Sequence, residues 1–288
     1  MSDLTLSELQ ALCDFSAHEK LVTDALEQAL QASASRVRFL GRYANWNGYF
    51  GSGVASLAGK IGRGRGLFAD PEEPVQSFAD RSVFVASFFF DAARDEFDDR
   101  DTVHRDTHRC LAQALLMGVA RHEAATQPAL ADTAALNNLL AVPLWLTHLC
   151  LKVARGYGVG TPDDLAGAFH AIGYHLGSEL LADREFSLID QTLRAKAPEL
   201  VDALKSGHVT VAGQDHVPYQ WLAIHSGHGG GVEADHFEWA AQGVRLAYRF
   251  ANPATHDAMR LQLHAGFKAF AADHHEFFTH VNADPLPL

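Results

Sequence analysis

Ala171-Ile172-Gly173-Tyr174-His175-Leu176-Gly177-Ser178-Glu179-Leu180-Leu181-Ala182 reads as the middle of a long helix, and one residue in it does not belong to an ordinary core. Apolar residues recur at spacings of three and four, and strand-like alternation is lacking. Glu179 sits among Leu176, Leu180 and Leu181, with Gly173 and Gly177 leaving room for a second helix or a substrate. A carboxylate in apolar surroundings is costly unless a cation or hydrogen bonds compensate it. No Lys or Arg lies within the preceding turn, and Arg184, five residues later, falls on another face. A metal ion is then the most economical partner. His175, one turn earlier, is either an outer partner of that carboxylate or a spare ligand.

The start of this helix is clear. Thr161-Pro162-Asp163-Asp164 offers an N-cap, a proline at the first helical position and acids at the positive end of the dipole. The pattern carries it to about residue 193. Outward from it, the same periodicity predicts helices over about 5–32, 35–61, 75–97, 102–122, 132–154, 232–250 and 253–280. Thr102 is the expected N-cap of the fourth of these, and Pro143 an expected kink in the fifth. The glycine-rich run 62–66 and the stretch 205–218 read as loops, the latter with short extended pieces. No repeat or linker interrupts residues 1–288, so one all-α domain is expected, a length that helical domains reach.

Composition narrows the function. Hydrophobic residues make up 48%, enough for a sizeable core. The net charge of -12 repels phosphate backbones and anionic lipid, which argues against nucleic-acid or membrane partners. No apolar run is long enough to span a bilayer, and the first residues lack a basic-then-apolar leader. Cys13, Cys110 and Cys150 are far apart and read as buried thiols of a reducing cytoplasm. The 17 histidines stand out, because imidazole is the commonest metal ligand.

Their spacing gives two further clusters. In Ile224-His225-Ser226-Gly227-His228-Gly229-Gly230-Gly231-Val232-Glu233-Ala234-Asp235-His236-Phe237, Glu233 and His236 form a Glu-x-x-His pair. At that spacing a carboxylate and an imidazole share one helix face and can hold one ion. Oxygen and nitrogen donors without thiolate suit iron or manganese. Between 95 and 108, Glu96 follows Phe88-Phe89-Phe90, and His104 and His108 lie four apart on the next helix. His108 precedes Leu111 and Leu115 on much the same face. Most of the acids between them read as a solvated loop, and His274-His275-Glu276 reads as a solvated helix end.

Glu96, His108, Glu179 and the 225–236 cluster occur in an order that resembles the haem-oxygenase-like non-haem diiron oxidases and oxygenases. That family takes in relatives of the chlamydial protein that associates with death domains. Its pattern is Glu, then His, then a mid-helix Glu, then His-x-x-x-Asp/Glu-x-x-His. The likeness covers about residues 75–250. Two departures are visible. This chain has four extra residues between His225 and Glu233, and His108 lies twelve residues after Glu96, with His104 eight after it. His228 and His104 therefore stand as alternates to His225 and His108.

The resemblance implies a haem-oxygenase-like bundle of about seven core helices. It implies two iron ions, the second held more weakly, with manganese as an alternative metal. The implied ligands are Glu96, His108, Glu179, His225, Glu233 and His236, with Glu179 bridging. The implied activity is O₂-dependent oxidation of a small molecule such as an amino acid or fatty acid, by desaturation, chain cleavage or N-oxygenation, in a biosynthetic setting. Electrons would come from an external donor, and a homodimer is compatible with the family. Two other readings are weighed: a metal-free helical binding protein on the same scaffold, and a ferritin-like diiron protein. The latter usually carries two Glu-x-x-His motifs, and only Glu233–His236 is present.

Overall fold

The computed structural model describes residues 4–97, 105–226 and 232–284, and leaves the side chains of Val232 and Glu233 undescribed. The chain is mostly helical with little strand. The decisive stretch lies in the longest helix, α9 (Leu165–Lys196). Its buried residues point in every direction, which a helix tolerates only when neighbours surround it. The preceding helices are α1 (Leu6–Gln10), α2 (Phe15–Ala29), α3 (Ser33–Asn47), α4 (Phe50–Arg63), α5 (Ser82–Glu96), α6 (His108–Ala124), α7 (Thr133–Leu139) and α8 (Leu144–Gly156). After α9 come α10 (Pro198–Ser206), α11 (Gln220–His225), α12 (Val232–Arg249) and α13 (His256–Ala283). Helices α2, α4, α8, α10, α11, α12 and α13 all pack on α9. One continuous apolar cluster runs from Leu9 to Val281.

The closest packing is between α9 and α13, and glycine permits it. A Cβ at Gly173 would lie 1.9 Å from the Leu263 carbonyl oxygen, and one at Gly266 would lie 1.8 Å from that of His170. The two backbones therefore touch where neither carries a side chain. At its N-terminus α9 is capped by Asp164, which accepts from the Gly167 amide at 2.7 Å. The sequence pointed to Thr161, but Thr161 and Pro162 form the turn before the helix and offer carbonyls to buried Lys60.

Several predicted helices are broken. The expected helix over 5–32 divides because the Asp14 side chain caps a new start by accepting from Ala17. The one over 35–61 divides at Gly48-Tyr49, where a Cβ on Gly48 would collide with the Arg109 guanidinium. Helix α4 then runs through Arg63, so only the end of the 62–66 run is loop. Helix α5 begins at Ser82 instead of about 75, and Thr107 caps α6 by accepting from Cys110 at 3.2 Å. The proposed cap Thr102 lies outside the described residues. Pro143 separates α7 from α8, and Pro198 starts α10 at its first helical position. The 205–218 stretch holds the end of α10 and a hairpin, β1 (Val209–Val211) against β2 (Gln214–His216), turning through Ala212 and Gly213 at positive φ.

Two side-chain expectations also change. Cys150 is buried and its thiol is pushed up to about 12 by burial, but Cys13 and Cys110 are only half-buried. His274 is no solvated helix end: α13 continues to Ala283 and His274 points inward at 1% exposure. Among the described residues no single helix is long and apolar enough to cross a membrane, although the bent pair α7 and α8 passes that test by length and composition alone.

Candidate functional site

Helices α5, α6, α9, α11 and α12 bring carboxylates and imidazoles together around α9. Glu96 ends α5 and His108 opens α6, and they meet with His108 Nδ1 3.1 Å from Glu96 Oε2. The His225 ring at the end of α11 stands edge-on to that of His108, with centroids 4.6 Å apart. On α9, His175 Nδ1 lies 3.1 Å from Glu179 Oε1. His236 of α12 lies between two acids, its Nδ1 3.4 Å from Glu179 Oε2 and its Nε2 3.0 Å from Asp95 Oδ2. The donors thus fall into two groups, Glu96 with His108 and His225, and Glu179 with His175 and His236.

Electrostatics ties the groups into one site. Burial pushes the Glu96 carboxyl up, but His108, then His236 and His225, outweigh it and hold the group below its usual range. Burial likewise opposes ionisation of Glu179, which His175 and His236 pull well below the ordinary value. The hydrogen bond with His236 keeps Asp95 low. Burial lowers His108, but Glu96 and then Asp95 raise it on balance. The buried Glu96 carboxylate is therefore compensated by the charge of His108, the role a bound cation would otherwise fill.

His225 is held differently. Its Nδ1 lies 2.7 Å from the Trp221 carbonyl oxygen, an atom that only accepts, so Nδ1 carries the proton. Burial, and then the charge of His108, drive this imidazole down to about 3. It is neutral, with its lone pair on Nε2, the state and outer hydrogen bond common to metal-bound histidine. Phe186 stacks on the ring at 4.3 Å and fixes its plane.

The donor chemistry fits a metal on a second observation. His108 Nδ1, both ring nitrogens of His175 and Glu179 Oε2 are buried without a properly aligned hydrogen bond among the described residues. Such orphaned polar atoms are rare in interiors and cost about 1–3 kcal/mol each. Among the described residues, however, no three of these donors already close on one point.

A cavity of about 320 Å³ adjoins the donors. Glu96, His108, Glu179 and His225 line it, with Phe50, Phe97, Ala112, Ala182, Phe186 and Trp221 as its apolar wall. Gly51 makes room for Glu96, since a Cβ there would lie 3.0 Å from Oε2. Arg109 is the one Lys or Arg on the wall among the described residues. It donates Nη1–H to the Ala44 carbonyl at 2.6 Å, leaving its other N–H groups for a ligand at the exposed mouth.

Of the residues the sequence singled out, Glu96, His108, Glu179, His225, His236 and His175 are brought together. Glu233 lies on α12, one turn before His236, but its side chain is outside the described residues, as are His104 and His228. Sequence reasoning missed Asp95, which it had placed in a solvated acidic run. Its neighbour Glu96 was the available signal: at the end of one helix, adjacent acids reach two different partners. Arg109 was missed as well, because its place on the cavity wall comes from packing against α3, where it donates to the Ala44 carbonyl.

No family model matches this chain, and neither a curated protein nor a solved structure is significantly similar to it.

Proposed function

We propose that the chain is a haem-oxygenase-like non-haem iron oxidoreductase that uses O₂ to oxidise a small carboxylate-bearing molecule such as a fatty acid or amino acid. One observation supports this reading: of the residues the resemblance pointed to, Glu96, His108, Glu179 and His225 line one cavity, and His236, 140 residues after Glu96, reaches Glu179 from behind it. Glu96, His108 and His225 would hold one ion, and His175 or His236 the other, with Glu179 between them and Glu233 completing the set. Iron so held supplies O₂ activation with open coordination positions.

The chain's own residues would do the rest. Arg109 anchors the substrate carboxylate at the mouth by charge-assisted hydrogen bonds. The apolar wall takes the substrate body and excludes water from the donors. Trp221 O and Asp95 orient His225 and His236. A cavity of about 320 Å³ suits a small ligand. We place the protein in the cytoplasm, with an external reductant as partner.

The second reading, a metal-free binding protein on this scaffold, draws on one feature: the acids and imidazoles already pair with each other. Anaerobic ferrous titration separates the two. Uptake of about two irons per chain and an optical change on O₂ exposure support the first reading. Less than about half an iron with no optical change overturns it.

A further inference from the structure

A second buried polar chain lies beside the candidate site. The Tyr43 hydroxyl on α3 donates to Glu185 Oε1 of α9 at 2.7 Å. Glu185 Oε2 lies 2.8 Å from His274 Nε2 on α13, and His274 Nδ1 lies 3.0 Å from His18 Nδ1 on α2. All four residues are buried, Tyr43 completely and His18 the least so at 6% exposure. The carboxylate only accepts, so His274 Nε2 carries a hydrogen, and one hydrogen sits between the two Nδ1 atoms. Four helices thus contribute to one buried hydrogen-bonded line that starts at a phenol and ends at His18. A tyrosine packed solely for its volume needs no such line, and burying two carboxylate oxygens with two imidazoles costs folding energy.

The other face of Tyr43 explains it. Its ring lies 5.6 Å from that of Trp221, centroid to centroid, and Trp221 lies 5.8 Å from His225. Trp221 also lines the cavity. Phe186 bridges the same residues, at 5.6 Å from Tyr43 and 4.3 Å from His225. Tyr43 is therefore in aromatic contact with the cavity wall on one side and hydrogen-bonded to a base on the other. Oxidation of a phenol makes it a strong acid, so a buried tyrosine yields an electron readily when a base takes the proton in the same step.

We infer that Tyr43 is a proton-coupled electron relay between the cavity and the Glu185–His274–His18 line. One electron passes from the phenol by way of Trp221 to a one-electron oxidant held in the cavity. The O–H bond breaks, its proton forms an O–H bond on Glu185 Oε1, and a neutral phenoxyl radical remains. An external one-electron reductant restores the phenol as Glu185 returns the proton. The source of the oxidant rests on the proposed function; the relay chemistry is a property of the chain. His18, pushed down to about 4 first by burial and then by His274 and His275, is neutral near pH 7 and so leaves the line able to pass a proton.

Two rival tyrosines must be tested alongside: Tyr219, whose hydroxyl donates to the buried carboxylate of Asp190, and Tyr174. Tyr174 donates to Asp273 at 2.9 Å and reaches His175 through the Tyr157 ring. The experiment uses metal-free, full-length protein and flash-generated ruthenium(III) tris-bipyridine, with freeze-trapped electron paramagnetic resonance as readout. A tyrosyl signal is expected in the parent and in Tyr174→Phe. It should fall at least about fivefold in Tyr43→Phe, and in Glu185→Gln, which keeps the shape but removes the base; circular dichroism confirms that both fold. The signal should likewise persist in Tyr219→Phe; no tyrosyl signal in the parent, a signal kept in Tyr43→Phe, or one lost in Tyr174→Phe or Tyr219→Phe overturns the relay. Because no iron is present, this result is independent of ferrous titration, so failure of the relay and failure of the iron reading are told apart.

Discussion

His225 donates Nδ1–H to the carbonyl of Trp221, four residues earlier on the same short helix, at 2.7 Å. That bond fixes the tautomer and turns Nε2 toward the neighbouring donors. On the proposed iron reading, the backbone would thus hold His225 in the tautomer a ligand needs. We expect His225→Ala to weaken ferrous binding at least about tenfold, and His228→Ala to change it much less. Iron titration of the two variants checks this; a stronger loss from His228→Ala would reassign the ligand.

In the proposed site Glu179 would stand between the two donor groups. Glu179→Ala should abolish, or nearly abolish, binding of both ions, because the remaining donors would surround two cations whose repulsion is unscreened in a dry pocket. Sequence alone suggested that the metal-free variant would lose little stability, since an unpaired buried acid would go. The structure alters that expectation. His175 and His236 both face Glu179, so removal strands two buried imidazoles and should cost about 1–3 kcal/mol. Thermal melts beside the iron titration measure both effects, and full iron binding by the variant would remove Glu179 from the site.

Asp95 should act through His236. Its Oδ2 lies 3.0 Å from Nε2, so Asp95→Asn weakens the acceptor that orients the ring and holds its proton. A loss of about 10–100-fold in iron affinity is expected, with helix content unchanged. Unaltered affinity would show that His236 needs no such support.

The sign of the pH dependence follows from His108. Its folded value is raised above the ordinary 6.5 because Glu96 and Asp95 outweigh burial. The group therefore contributes stability that is full below 6.5 and is lost as pH rises through the folded value. Glu96 and Glu179, held low, contribute stability present above about 4.5 and lost as pH falls through their folded values. Iron must displace the His108 proton, so uptake at pH 7 should release protons and tighten as pH rises. Calorimetry in buffers of different ionisation enthalpy reads the proton count; zero release would mean that His108 is not a ligand.

Arg109 is tested with a carboxylate probe. Arg109→Ala should weaken decanoate binding about tenfold, the discounted value for a guanidinium at an open mouth, and leave decanamide binding nearly unchanged. Equal losses for both probes would point to altered cavity shape.

The sequence by itself determined that the chain is helical and singled out most of the polar side chains that meet at the candidate site. Apolar spacing is a local property, so α9, α12 and α13 were legible to within a few residues. Glu179 was legible because a charge among leucines is anomalous without any knowledge of the fold. Only the tertiary structure showed why Gly48 stands where the helix expected over 35–61 divides: the guanidinium of Arg109, 61 residues away in the chain, occupies the space a Cβ would need. Only tertiary structure could show that Asp95 belongs with His236 and that His274 is interior, since both contacts join helices distant in sequence. Periodicity records which face of a helix is apolar; which polar side chains meet depends on how those faces pack, and here Gly173 and Gly266 let α13 lie directly against α9.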